Sequence, residues 1–358
     1  MKNISSKTID KFITFGLVII AYVVIQVLLT TGIVTSSAFS GLLVPVSIYI
    51  LLAVSLNLVV GISGELSLGH AGFMCIGAFV GSVFSLALID VIPSVWVRFP
   101  LAIIVGGASA AIMGFLIGIP VLRLQGDYLA IVTLAFGEII KNIFNNIYLS
   151  YDANGVYFAL SPERFSQYQM DFATKHDLIK GAMGINGTPE DTTFTVCFVV
   201  ILIALFVMLN LIDSKTGRSI KAARDNRIAA EAMGINITKA KMTAFVVSAF
   251  FAGVAGVLYS HNLNQLNATK FDYNTSILIL VFVVLGGMGK MRGSIIAATL
   301  LYALPEALRG LADYRMLLYA IVLIVMMLLN NNEKFKIIKS KFSVKAMIAK
   351  KKAKGGKS

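Results

Sequence analysis

The sequence predicts an all-α integral membrane protein, a polytopic helical bundle of about ten spans with broken, glycine-rich helices, and three observations predict it. Of 358 residues, 57% are hydrophobic and only 14% are charged, whereas a soluble domain carries roughly 25% charged residues. Apolar runs close to the roughly 20 residues that cross a ~30 Å hydrocarbon core recur along the chain. The lysines and arginines collect in alternate connections between those runs, as a positive-inside bias requires.

Taken in order, the spans fall near 12–31, 41–60, 69–89, 101–121, 128–148, 194–212, 241–260, 274–289, 294–309 and 314–330. Each must be helical, because an unpaired backbone group is costly in hydrocarbon. The first follows Lys2, Lys7 and Lys11 and is too long for the apolar core of a secretion signal, so it reads as an uncleaved span. The last three are short and interrupted by glycines, Pro305 and Glu306, which leaves room for one re-entrant pair. Cys75 and Cys197 sit inside apolar runs and read as buried thiols rather than as a disulfide or zinc site.

Starting the N-terminus in the cytoplasm and changing sides at every span puts 23 of the 31 lysines and arginines inside, seven outside, and Lys141 within the fifth span. Both termini are then cytoplasmic, in a chain that crosses the plasma membrane many times. Ten of the lysines lie in a basic tail over residues 331–358, where they meet anionic lipid of the inner leaflet. The formal net charge of +13 therefore points to a membrane surface and not to nucleic acid. Phe335, Ile338, Phe342 and Met347 among the lysines give the tail a weakly amphipathic pattern.

Two polar segments interrupt a single transmembrane domain spanning 1–358. Residues 149–193 form an extracytoplasmic loop with six acidic residues against three basic ones and with Tyr151, Tyr157, Phe158 and Tyr168 among its aromatics. They read either as a folded cap or docking surface, or as a loose loop lying on the bilayer. Residues 213–241 form a cytoplasmic loop rich in alanine, which favours helix, with Gly234 as a stop. Ile220, Ala223, Arg227 and Glu231 are spaced to share one helix face, so this loop is a handle for a partner.

No engine of chemistry is legible within the chain. The terminal Gly355-Gly356-Lys357-Ser358 has Lys351 where a phosphate-binding loop needs its first glycine, and no helix follows it. Gly287-Met288-Gly289-Lys290-Met291-Arg292 has arginine where a dinucleotide fingerprint needs its third glycine. His70, His176 and His261 are scattered and suit neither a metal nor a nucleophile triad. The expectation is a non-enzyme without cofactor or metal, whose ATP, if any is used, is hydrolysed by another subunit.

The stretch Leu56 to Gly81 carries most information. Gly61, Gly64, Gly69 and Gly72 break helix at membrane depth, which persists only where protein or a watery cavity satisfies the freed backbone. One reading is a substrate path lined by Gly64, Glu65, Ser67, Gly69, His70 and Gly72, because broken helices expose dipolar ends to polar solutes. The other is a tight turn with Glu65 solvated, followed by small residues for helix packing such as Gly77 and Gly81. Glu138 and Lys141 lie one turn apart in the fifth span and can pair, either lining the same path or holding the structure. Glu306 and Arg309 repeat that spacing in the ninth.

Four blocks together resemble the LivM-type permease family of branched-chain amino-acid ABC importers. They are LNLVVGISGELSLGHAGF at 56–73, RLQGDYLAIVTLAFGEIIK at 123–141, GRSIKAARDNRIAAEAMGIN at 217–236 and LGGMGKMRGSIIAA at 285–298. The resemblance implies a heterodimer with a paralogous permease, two cytoplasmic ABC ATPase subunits and an extracytoplasmic substrate-binding protein. It implies that Gly217, Arg218, Arg224, Glu231, Ala232 and Gly234 form the loop that couples to the ATPase, and that Gly64, Gly69, His70 and Gly72 belong to the family's first glycine-rich motif. Asn330-Asn331-Asn332-Glu333 and the lysine tail stand where the family often carries an Arg-Pro-x-Gly segment. Related permeases carry urea or other small solutes. The rival classes are an ion-coupled secondary transporter, which would need more ionisable residues deep in its spans, and a passive channel, for which the 213–241 handle would be idle.

Overall fold

The computed structural model of the chain describes residues 6–31, 37–89, 91–124, 126–152, 155–168 and 176–308, with single helical positions between 317 and 328. The first half runs α1 (Ser6–Thr30), α2 (Ser37–Asn57), a π-helical turn (Leu58–Ser63), α3 (His70–Ala87), α4 (Val95–Val121) and α5 (Asp127–Asn146). A small sheet follows, of β1 (Tyr148–Asp152), β2 (Gly155–Ala159), α6 (Pro162–Ser166), β3 (His176–Lys180) and β4 (Ile185–Asn186). The second half runs α7 (Phe194–Asp213), α8 (Lys215–Asp225), α9 (Arg227–Ala232), α10 (Ile237–Ser260), β5 (Gln265–Leu266), α11 (Tyr273–Gly286) and α12 (Met291–Ala307).

Among the described residues, eight helices are long and apolar enough to cross a membrane, and they overlie the first eight spans expected from the sequence. The protein is thus a multi-pass, all-α membrane protein. The ninth expected span coincides with α12, a helix of 17 residues with Pro305 inside it. The tenth, near 314–330, falls almost wholly outside the described residues, as do Arg309 and the whole basic tail 331–358. The contacts divide the chain at Thr299, and within the second unit, 300–358, the described residues carry α12 to its end.

Within residues 1–299 the centre is a sandwich of α3, α4 and α10, and small residues let the three approach. A Cβ at Gly77 would collide with the Gly253 carbonyl, one at Gly256 with the Met74 carbonyl, and one at Gly106 with Val257. In lipid no hydrophobic force draws helices together, so close van der Waals packing of this kind supplies the attraction. Phe73, Phe79 and Phe245 fill the remaining volume and are fully buried. Helix α1 lies at the margin, joined to α7 by the Tyr22–Phe198 ring stack and the Lys11–Asp213 ion pair at 2.7 Å. Its exposed face of Phe12, Ile20, Val24 and Val27 suits a lipid contact.

The segment expected to be a loop at 149–193 is folded. Strands β2, β1 and β3 pair antiparallel in that order, and the Asp152 carboxylate closes the hairpin by accepting the Gly155 N–H at 3.0 Å. The β4–β5 pair stitches this cap to the connection after α10. Beside it the buried Arg98 of α4 pairs with Asp191 at 3.1 Å.

The 213–241 segment corrects one expectation. It is not one helix but two, because Asn226 is extended (φ −154°, ψ 106°) and its side chain accepts the Ala229 N–H at 3.0 Å. A side chain that can cap competes with helix continuation. Ile220 and Ala223 are consequently buried, whereas Arg227 and Glu231 are exposed on the next helix and pair with each other at 3.2 Å. The four do not share a face.

Candidate functional site: a broken helix held by an exposed arm

Helix α2 does not end cleanly. It widens into the π-helical turn Leu58–Ser63, all of it buried, and stops at Gly64, whose φ of 77° places it in the left-handed region open to glycine. A segment without regular secondary structure runs from there to Gly69 and precedes α3. A π-turn within a helix is rare, and the surrounding elements hold this one.

Five side chains converge on this break. The Arg224 guanidinium of α8 donates to the Gly61 carbonyl at 2.9 Å, and its methylenes pack beneath Gly64, where a Cβ would find no room. Lys241, in the second turn of α10, forms a largely buried ion pair with Glu65. The backbone N–H of Leu68 donates to the Thr133 hydroxyl of α5 at 3.0 Å. The N–H of Ala71 donates to the Ser276 hydroxyl of α11 at 3.1 Å. The buried Asn57 accepts the Gly289 N–H at 2.8 Å and donates to Ser294 at 3.0 Å, joining the break to the turn between α11 and α12.

The expected path residues from Gly64 to Gly72 therefore lie together at the break, and each has an observed place. Glu65 is paired with Lys241 rather than solvated. Ser67 and His70 are buried, and the His70 Nε2 lies 2.8 Å from the Ser55 hydroxyl. Gly69 is pressed on the Thr133 carbonyl and Gly72 on Gly137, so both serve the close approach of α3 to α5. Glu138 stands apart from them on α5, paired with Lys141.

The arm residues divide into two groups. Gly217 makes the corner between α7 and α8, where a Cβ would meet the Leu211 and Ile212 carbonyls. Arg224 points inward to the break. Arg218, Glu231, Ala232 and Gly234 are exposed, with Gly234 at φ 77° ending α9. Two neighbours not singled out from the sequence stand out further: Ile228 is 81% exposed and Met233 is 82% exposed. Their signal lay in the sequence as large apolar residues flanking Ala229–Ala232. Asn57, Thr133 and Lys241 were likewise missed. Among the described residues no cluster of His, Cys, Asp and Glu could hold a metal ion. The arrangement ties the arm to the Gly61 carbonyl, and the same break to α5, α10 and α11.

Comparison with known proteins adds an independent line. A family model described as the branched-chain amino acid transport system permease component matches residues 38–329. The high-affinity branched-chain amino acid transport system permease protein LivM of Salmonella typhimurium is 36% identical over 288 residues, covering 78% of this chain and 66% of that protein. The protein of the same description in Escherichia coli K12 is 36% identical over 287 residues, with the same shares. The chain thus spans just under two thirds of the length of these relatives. A probable branched-chain amino acid transport permease protein LivH of Methanocaldococcus jannaschii is 24% identical over 260 residues, 72% of this chain and 75% of that one. No solved structure matches the chain.

Proposed function

Because the chain belongs to the branched-chain amino acid transport system permease family, we propose that it is one permease subunit of an ATP-driven importer that carries leucine, isoleucine and valine across the membrane. Its partners are a second permease of the same family, two ATPase subunits bound at the α8–α9 arm, and a substrate-binding protein at the opposite face. The likeness of this chain to both LivM and LivH supports pairing of two permeases built alike. The arm and both termini then lie in the cytoplasm, and the β-sheet cap lies outside.

The observation that carries the reading is the bond from Arg224 to Gly61. It joins a helical arm with exposed apolar tips to the one place among residues 37–87 where the helix is interrupted. An arm so placed has the form of a lever, and the broken helix is what it moves. Alternating access follows in outline: closure of the ATPases displaces α8 and α9, the break shifts with Arg224, and α3, α5 and α10 tilt about their glycine contacts. Transport is driven by motion and needs no catalytic group in this chain.

The test is reconstitution in proteoliposomes of the chain with the second permease, ATPases and binding protein. The reading expects leucine, isoleucine and valine to accumulate with ATP, to stop when the ATPases are omitted, and to be indifferent to collapse of the proton and sodium gradients. Accumulation that survives without the ATPases, or that follows an ion gradient, would refute it.

A further inference from the structure

Helix α5 carries a second polar feature that the lever does not use. Glu138 and Lys141 pair across one helical turn inside the apolar segment Tyr128–Asn146, and their side chains stay 28% and 21% exposed. The other Glu138 oxygen accepts the N–H of Tyr273, at the start of α11, at 3.1 Å. A pair that served only to clasp two helices would be enclosed by them, and charges turned toward lipid are costly. Ionisable side chains within a span face the bundle interior or a watery cavity as a rule.

The same face is apolar one and two turns below. Ile131 and Ala135 precede Glu138 by seven and three residues, which puts them in line on a helix, and both are exposed. The face thus offers a carboxylate and an ammonium within one turn, with an aliphatic strip leading away from them. An α-amino acid with an aliphatic side chain presents the complement: an ammonium and a carboxylate on one carbon, and a greasy tail. Asp272 lies close enough to feel the charge of Lys141, but its carboxylate is already hydrogen-bonded to the Thr275 N–H at 2.9 Å and to Asn274 at 2.8 Å.

We propose that the Glu138–Lys141 pair is where this subunit reads the zwitterionic head of the transported amino acid. The α-ammonium displaces Lys141 from Glu138, the α-carboxylate takes up Lys141, and the side chain lies along Ala135 and Ile131. Parting one ion pair and making two leaves no charge unpaired at membrane depth, which lets the solute pass without a lone buried ion. The proposal rests on the amino-acid reading above and names the residues that touch the cargo.

The experiment is leucine uptake by the reconstituted complex, counted per assembled complex recovered, for Glu138→Gln, Lys141→Gln and the double variant. Each single variant is expected to lower maximal uptake at least tenfold, and the double variant is expected to stay low. A pair that merely neutralised itself would be tolerated when both charges are removed together, so wild-type uptake by the double variant would overturn the proposal, as would wild-type uptake by either single. If a single variant fails to assemble, the double variant has no unpaired charge and carries the test alone. A wild-type complex that moves no branched-chain amino acid with ATP would fall on the amino-acid reading itself and remove this one with it.

Discussion

The guanidinium of Arg224 reaches across 163 positions of sequence to donate to the Gly61 carbonyl at 2.9 Å. On the proposed mechanism this bond carries movement of α8 to the broken helix. Arg224→Ala should leave the complex assembled and its ATP hydrolysis running while uptake falls at least tenfold, since the motor turns but the lever is cut. Arg224→Lys should recover little, because a point ammonium cannot bridge Gly61 and Asp225 as the planar fork does. Paired assays of hydrolysis and uptake on one preparation decide it, and a parallel fall of both would assign Arg224 to stability alone.

Gly61 itself is predicted to be intolerant of any side chain. A Cβ there would meet both the Asn57 amide and the Gly289 backbone, and overpacking of this kind costs about 1–3 kcal/mol. Gly61→Ala should therefore lower the melting temperature of the purified complex by several degrees. Gly234→Ala, where a Cβ meets nothing within 4 Å, should lower it less even though its φ is positive. Equal shifts for the two would contradict the close approach.

On the arm, Glu231→Lys breaks an exposed pair with Arg227 that is worth only about 0.2–0.5 kcal/mol. Folding should be untouched, while the reversed charge disturbs ATPase docking and uncouples uptake. Gly234→Pro cannot hold φ at 77° and should distort the arm with the same result. Burial of an aliphatic side chain is worth about 1.5–3 kcal/mol, so Ile228→Ala and Met233→Ala should each weaken ATPase binding by roughly tenfold or more in a pull-down titration. Unchanged affinity in both would place the docking surface elsewhere.

His261, just beyond the end of α10, gives a pH dependence with a definite sign. Burial holds its pKa below the ordinary 6.5, opposed by the Val257 carbonyl and Asp191 and assisted by the positive charge of Arg98. The fold favours the neutral imidazole, so this contribution to stability is complete above pH 6.5 and is lost as pH falls below it. The melting temperature of wild type should drop between pH 7 and pH 5 by more than that of His261→Gln. Coincident pH profiles for the two proteins would show that His261 is not the group concerned.

Much of this architecture was legible because membrane crossing leaves a strong signal. Runs of about 20 apolar residues located the first eight spans to within six positions, and the glycines at 61, 64 and 69 marked the break, whereas Gly72, expected to break helix with them, lies inside α3. The Glu138–Lys141 pair followed from a spacing of three on one helix. What escaped was whatever depends on residues far apart in the chain. Nothing near Glu65 announces Lys241, and nothing near Gly61 announces Arg224. Asn226 escaped for a local reason, since its alanine-rich neighbours favour one continuous helix while its amide offers the backbone a competing bond. The sheet of the cap escaped because short strands in a polar loop lack the alternation that a buried face imposes.

Met233, at the exposed tip of the α8–α9 arm, reports on the proposed grip of a cytoplasmic motor. In a variant with Cys75 and Cys197 replaced by alanine and Met233→Cys introduced, inside-out membrane vesicles should expose the new thiol to a membrane-impermeant maleimide. Added ATPase subunits should then protect it and cross-link to it. Labelling confined to right-side-out vesicles, or full labelling undiminished by bound ATPase, would contradict the account.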